Sequence, residues 1–311
     1  MCVTGPPPRN PPALLTFQKA VRELDFTLSA ELPLSAASTR ASIERDIATL
    51  GDSVDAFQVT DNPTGIPHMA PLVAAGICLQ NGKDAVLHVS GRDRNRIALQ
   101  SQILGAAAAG IGSLLMQRGD KLPDDLKPRA RKVYEFGAKR LLRCAYLIGG
   151  EVELVPAPGF FLGSMVSVIA PRDGWLPRGI EAKVDVGCKF VQTQPLLDTV
   201  LLRRYMERLV ESRIIQRVSV IVSIPLLSSP AQLETLLRRP KRLLIPKHIV
   251  ERLQKSATPM EDGAAIAAET LDAVTAVPGV AGANIVAINK AAAAVDAISQ
   301  SGILQRRNSL A

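Results

Sequence analysis

Ala85-Val86-Leu87-His88-Val89-Ser90-Gly91-Arg92-Asp93-Arg94-Asn95 is an apolar run of strand length that closes on a dense polar cluster, and a helical pattern over residues 95–109 follows at once. The same order occurs three more times in the first half of the chain. Residues 27–30 close on Glu31, residues 56–59 on Thr60-Asp61-Asn62-Pro63, and residues 113–116 on Arg118-Gly119-Asp120. One polar residue after a strand is an ordinary loop. Four such clusters, each ending a strand that a helix follows, fall on one rim of a parallel β/α structure, where such folds place ligands and catalysts.

Carried along the chain, the pattern predicts strands at 27–31, 56–60, 85–89, 113–117, 161–168, 190–194, 218–224 and 283–288. Helices are predicted between and after them at 41–50, 69–79, 95–109, 133–147, 175–186, 199–212, 231–237 and 290–298. Eight strand–helix units favour a closed (β/α)8 TIM barrel over an open doubly wound sheet. Two further helices, at 246–254 and 260–276, read as an insertion before the last strand. The second opens on Glu261-Asp262, acids suited to a helix N-terminus. The expected organisation is a disordered Pro-rich leader over residues 1–20, one barrel domain over 21–304 and a flexible tail over 305–311.

Hydrophobic residues make up 47% of the 311 residues but aromatics only 4%, so the core is built from Ala, Val, Leu and Ile. That composition suits parallel strands buried on both faces. The longest apolar stretch, 103–116, contains Gly105, Gly110 and Gly112 and is too short to span a bilayer. No charged segment followed by an apolar one opens the chain, so a cytoplasmic protein with no membrane partner is expected. Cys2, Cys78, Cys144 and Cys188 show no C-x-x-C pair or metal spacing and read as reduced thiols.

The net charge is +8, with basic runs at 127–132, Arg203-Arg204 and 238–242. Nucleic-acid binding calls for aromatic residues among such charges or a recognisable module, and neither is present. Solvated helix faces account for the runs, with a field that draws in polyanionic small molecules as the functional alternative.

Glu31, at a barrel mouth beside Leu32, is a candidate general acid because desolvation favours its neutral form. Its bland reading is a surface Glu opening a loop. Gly119 lets the backbone approach a planar ligand, and Asp120 is placed to hydrogen-bond a pterin or tune a bound cofactor. The Arg92–Asn95 loop offers two readings: a phosphate held by Arg side chains and the helix N-terminus, or internal Arg–Asp pairing that fixes the loop. Gln194 emerges at the same rim with an amide that both donates and accepts. Asp198 reads as a helix N-cap. No His, Glu and Asp set has zinc spacing, and no G-x-G-x-x-G follows the first strand.

Taken together, Glu31, Thr60-Asp61-Asn62-Pro63, His88 with Arg92-Asp93-Arg94-Asn95, Leu99-Gln100-Ser101, Arg118-Gly119-Asp120, Lys183-Val184-Asp185-Val186-Gly187 and Thr193-Gln194 resemble the methylenetetrahydrofolate reductases. The likeness runs from about Leu28 to about Lys290, and its style is that of the short bacterial members. It implies a (β/α)8 barrel that carries FAD across the carboxyl ends of its strands. It also implies NADH or NADPH as co-substrate and interconversion of 5,10-methylene- and 5-methyltetrahydrofolate.

By position, Glu31 matches the acid that assists opening of the folate's five-membered ring, and Asp120 the aspartate near flavin and pterin. Thr60, His88, Arg118, Gly119 and Lys183 match flavin-contacting positions. Gln194 matches a pterin-contacting glutamine, and Lys290 stands where many members have an arginine near the folate. The chain departs from the pattern after the fifth strand, where many members carry Tyr-Pro-Glu-x-His around the flavin's adenine half. Here Ser167-Val168-Ile169-Ala170-Pro171-Arg172-Asp173-Gly174-Trp175 lacks the Tyr and the His. FMN, a weakly held flavin or direct transfer from NADH are therefore alternatives to tight FAD. The reading from another class is a non-redox folate-binding barrel serving a methyltransferase or a one-carbon demethylation system. A homo-oligomer or a one-carbon pathway partner fits either reading.

Overall fold

The computed structural model describes residues 15–122, 130–151, 159–237, 245–287 and 291–308. Its frame is eight parallel strands in sequence order: β1 (Thr27–Glu31), β2 (Ala56–Val59), β3 (Asp84–Ser90), β4 (Ser113–Gln117), β5 (Phe161–Val166), β6 (Phe190–Thr193), β7 (Ser219–Leu226) and β8 (Val280–Ala287). β8 pairs with β1, Ser29 facing Asn284, and the barrel closes. The expected (β/α)8 architecture is thus the observed one. β1 and β4 have the predicted bounds, and each other strand differs at one or both ends by one to three residues.

Around the strands lie α2 (Arg40–Leu50), α3 (Pro71–Gln80), α4 (Arg96–Ala108), α5 (Ala138–Glu151), α6 (Arg178–Val184), α7 (Thr199–Glu211) and α11 (Ala291–Gln300). Local chemistry starts several of them. Thr39 and Ser42 form a reciprocal capping box at α2, Asn95 Oδ1 accepts the Ala98 N–H at α4, and Asp198 Oδ1 accepts the Leu201 N–H at α7. The shell between strands and helices is almost wholly Ala, Val, Leu and Ile. Cys78 and Cys188 lie buried within it, and burial pushes both thiols up to about 12.

Four segments differ from expectation. α1 (Phe17–Glu23) takes in the last four residues of the expected leader, while residues 1–14 lie outside the described ones. Thr16 caps α1, and Phe17 drives the docking: its ring is fully buried at the amino-terminal pole, 5.3 Å from Phe190 and 6.0 Å from Phe161. Its N–H donates to buried Asp84 at 2.6 Å. A single aromatic anchor outweighs the proline-rich run before it. The expected tail is helical as far as Asn308, in α12 (Ile303–Asn308), with Ile303 buried.

α5 begins five residues later than predicted because the Val133 N–H donates to the Arg92 carbonyl at 2.7 Å, holding residues 130–137 across the rim. Finally, the insertion is not the one expected. After β7 come α8 (Pro230–Leu237), α9 (Lys247–Gln254) and α10 (Pro259–Thr275), and α10 is the helix that packs on β7 and β8. Its buried face is Gly263, Ala264, Ile266, Ala267, Leu271 and Val274. A Cβ at Gly263 would meet the Leu227 carbonyl at 1.8 Å, so glycine is what lets α10 lie against the chain leaving β7. The extra helices are therefore α8 and α9.

Candidate functional site

Side chains alternate across each strand, so an inward residue brings the residue two positions on to the same face. The lowest interior layer is apolar: Ala56, Val86, Leu115, Phe161, Phe190 and Ile221 pack with Phe17 and Val21. Two residues further along β2, β3, β6 and β7 come Gln58, His88, Gln192 and Ser223, all buried. Gly163 stands at the same height on β5, where a Cβ would strike the Phe190 ring at 2.1 Å. The barrel interior thus changes from aromatic to polar as it rises toward the carboxyl ends.

This polar layer is partly joined. His88 Nε2 lies 2.7 Å from Gln58 Oε1, and because that oxygen only accepts, the imidazole donates from Nε2. Gln58 Nε2 donates to Ser29 Oγ at 3.3 Å, and Ser29 Oγ donates to Asn284 Oδ1 at 3.2 Å. Burial pushes the His88 pKa down to about 3, so the ring is neutral at ordinary pH. Among the described residues, Gln192 Oε1, Ser223 Oγ and Asn284 Nδ2 are buried without a hydrogen-bond partner.

Above this layer is the mouth. Glu31 ends β1 in register with Gln58 and so shares its interior face, with partial exposure. Thr60, also half-buried, follows β2. The cluster after β3 resolves in favour of internal pairing. Arg94 holds Asp61 through both carboxylate oxygens, at 2.6 and 3.0 Å, and the Ser90 N–H donates to the same carboxylate at 2.8 Å. Arg92, 1% exposed, grips Asp93 at 2.6 and 2.7 Å and reaches the carbonyls of Asn62 at 2.9 Å and Asp120 at 3.4 Å. One guanidinium therefore ties together the loops after β2, β3 and β4. The α4 N-terminus is occupied as well, by Asn95 and by Glu135, which accepts the Arg96 N–H at 2.7 Å.

The remaining expected residues fall as follows. Arg118 is exposed after β4 with its guanidinium 4.6 Å over the Tyr134 ring. Gly119 has φ +88°, and a Cβ there would meet Ser90 Oγ at 2.3 Å and Arg92 Cβ at 2.7 Å. The approach that this glycine permits is to its own rim. Asp120 is exposed, and its carbonyl accepts the Tyr134 hydroxyl at 3.0 Å. Lys183, on α6, donates to the Met165 carbonyl at the end of β5. Gln194 follows β6, but its amide is matched at both ends by Val168: Oε1 accepts the N–H at 2.8 Å and Nε2 donates to the carbonyl at 3.3 Å. Lys290 lies outside the described residues.

Glu31, Thr60, Arg118, Gly119, Asp120 and Gln194 thus stand at or just beyond the carboxyl ends of their strands, at one pole of the barrel, with His88 in the buried layer beneath them. Sequence reasoning missed Ser29, Gln58, Gln192, Ser223 and Asn284. A signal for four of them exists: Ser29, Gln58, Ser223 and Asn284 are each a polar residue with an apolar strand neighbour on either side. Among the described residues no cluster of His, Cys, Asp or Glu could hold a metal ion, and no helix is long and apolar enough to cross a membrane.

A family model described as methylenetetrahydrofolate reductase matches residues 18–302. No curated protein matches the chain. Among solved structures, one from Clostridium thermocellum, described as binding two copies of 5-methyl-5,6,7,8-tetrahydrofolic acid, has 13% identity and a TM-score of 0.62. The match covers 93% of this chain and 98% of that one. EDTA monooxygenase from Chelativorans sp. BNC1 matches over 91% of this chain and 94% of its own, at 13% identity and a TM-score of 0.52. Likeness at this identity speaks for the barrel alone.

Proposed function

The chain belongs to the methylenetetrahydrofolate reductase family, and from that premise we propose that it interconverts 5,10-methylene- and 5-methyltetrahydrofolate by flavin-mediated hydride transfer with NADH or NADPH. The observation that carries this reading is the position of Glu31. It stands on the interior face beside Gln58, at the same mouth as Thr60, Arg118 and Asp120 and above buried His88. An acid there gives its proton to the bridge nitrogen of the folate as the carbon–nitrogen bond opens, and so creates the cationic carbon that accepts hydride.

The residues present fit a flavin ring and one phosphate contact. Thr60 offers a hydroxyl to a heterocycle at the mouth, neutral His88 lies beneath it with Nε2 held by Gln58, and Arg118 has no ion-pair partner among the described residues. Arg92 and Arg94 do not add to this, because both are committed to carboxylates. A flavin, when bound, carries the hydride between pyridine nucleotide and folate. Asp120 sets the charge beside it, Lys183 steadies the end of β5, and Gln194 and Lys290 are assigned to the folate side by family position.

The test is anaerobic rapid mixing of flavin-reconstituted protein, first with NADH and then with methylenetetrahydrofolate, followed at flavin wavelengths. Glu31→Gln should slow the folate half-reaction by about 10²-fold or more while sparing reduction by NADH. Equal loss of both halves removes Glu31 from the acid role.

One observation favours a second reading, in which the barrel binds methyltetrahydrofolate without redox chemistry for a partner methyltransferase. Two of the rim arginines and the α4 N-terminus, the natural seats for cofactor phosphates, are occupied by the chain's own groups. The C. thermocellum protein of the same fold is described only as binding methyl-folate. A colourless protein that binds methyl-folate and never oxidises NADH decides for this alternative.

A further inference from the structure

The hydrogen-bond chain inside the barrel runs in one direction, from His88 through Gln58 and Ser29 to Asn284 Oδ1, and ends there. The other end of that amide, Nδ2, has no partner among the described residues, and neither has Ser223 Oγ or Gln192 Oε1. All three side chains are 0–1% exposed. They occupy adjoining strands: Ser223 faces Asn284 across β7 and β8, and Gln192 pairs with Ile221, two residues below Ser223, across β6 and β7. Buried polar atoms without partners are rare in proteins, because each retains the cost of leaving water. Three on consecutive strands make a buried cluster with hydrogen-bonding capacity to spare.

Its hydrogen-bonding character is specific. Asn284 offers an N–H, Gln192 offers a carbonyl oxygen, and Ser223 can do either. A 2-amino-4-oxo-pteridine presents the complement along one edge: a carbonyl, then a ring N–H, then an amino group. Resting on the folate reading above, we propose that Gln192, Ser223 and Asn284 read this lactam edge of the substrate, and so determine specificity from the floor of the mouth. Gln194, the glutamine that family position assigns to the pterin, is matched at both ends by Val168, and the open amide oxygen lies two residues earlier.

The experiment measures binding of 5-methyltetrahydrofolate, and of its 4-amino-4-deoxy analogue, to the full-length chain by calorimetry. Urea unfolding is run in parallel. The wild-type protein should bind the 4-oxo compound about tenfold or more tightly than the 4-amino one, whose amino group confronts the Asn284 donor. Gln192→Leu, Ser223→Ala and Asn284→Leu should each weaken folate binding by about tenfold, with unfolding midpoints unchanged or raised. Asn284→Leu should also erase the 4-oxo preference. Variants that bind folate as the wild type does while gaining stability overturn the proposal and leave the folate reading intact. The analogue comparison needs no variant, and equal affinity for the two compounds overturns the proposal too. A wild-type chain that binds no folate overturns both readings.

Discussion

On the β2–β4 side of the mouth, charged groups are matched by the chain itself: Arg92 by Asp93 and two carbonyls, Arg94 by Asp61, the α4 N-terminus by Asn95 and Glu135. On the β6–β8 side, neutral groups are buried deeper and three atoms have no partner among the described residues. Both regions are polar and both belong to one barrel end. The first has the character of a scaffold, since its groups lower their energy by holding one another. The second has the character of a receptor, because an outside molecule can still lower its energy. Polarity by itself therefore does not mark a site, and neither does a lone unmatched atom such as Thr27 Oγ1 or Gln102 Oε1; what separates the β6–β8 side is that its unmatched atoms lie on adjoining strands.

If that contrast is right, mutations on the two sides should affect different observables. Arg92→Ala should cost about 4 kcal/mol of stability, since it strands carbonyls on two loops and a carboxylate on a third. Chemical denaturation measures the loss, and a cost near zero would deny Arg92 its scaffold role. Gly119→Ala should cost about 2 kcal/mol, from a side chain forced to positive φ against Ser90 and Arg92. The same assay reads it, and flavin affinity measured alongside shows whether the glycine also serves a ligand.

His88 sharpens the comparison through pH. The folded ring stays neutral down to about pH 3, whereas the unfolded one takes a proton near 6.5. The unfolded state therefore binds more protons in that window, and stability falls as pH falls from about 6.5 toward 3, by up to about 1.4 kcal/mol per unit. His88→Gln should flatten the slope by that amount in urea titrations across the window. Smallest of all, Ser223→Ala should change stability by no more than about 1 kcal/mol in either direction, because the hydroxyl has no partner to lose among the described residues. A larger loss would show that Ser223 belongs to the scaffold.

The frame of the barrel was legible in the sequence because apolar runs alternating with helical periodicity leave few other arrangements, and β1 and β4 were placed to the residue. The rim was legible as a location but not as a set of roles. Whether Arg94 meets a phosphate or Asp61 depends on two loops 33 residues apart in sequence, and no local pattern encodes that. Gln192 and Gln194 are equivalent by spacing, and only the path of the Val168 backbone separates them. α1 was hidden for a similar reason. Phe17 acquires its importance from Phe161 and Phe190, which the chain reaches more than a hundred residues later.

Those three rings have a consequence for traffic. Phe17, Phe161 and Phe190 stopper the amino-terminal pole, so no passage runs through the barrel at that end. Whatever enters at the carboxyl ends must leave by the same door.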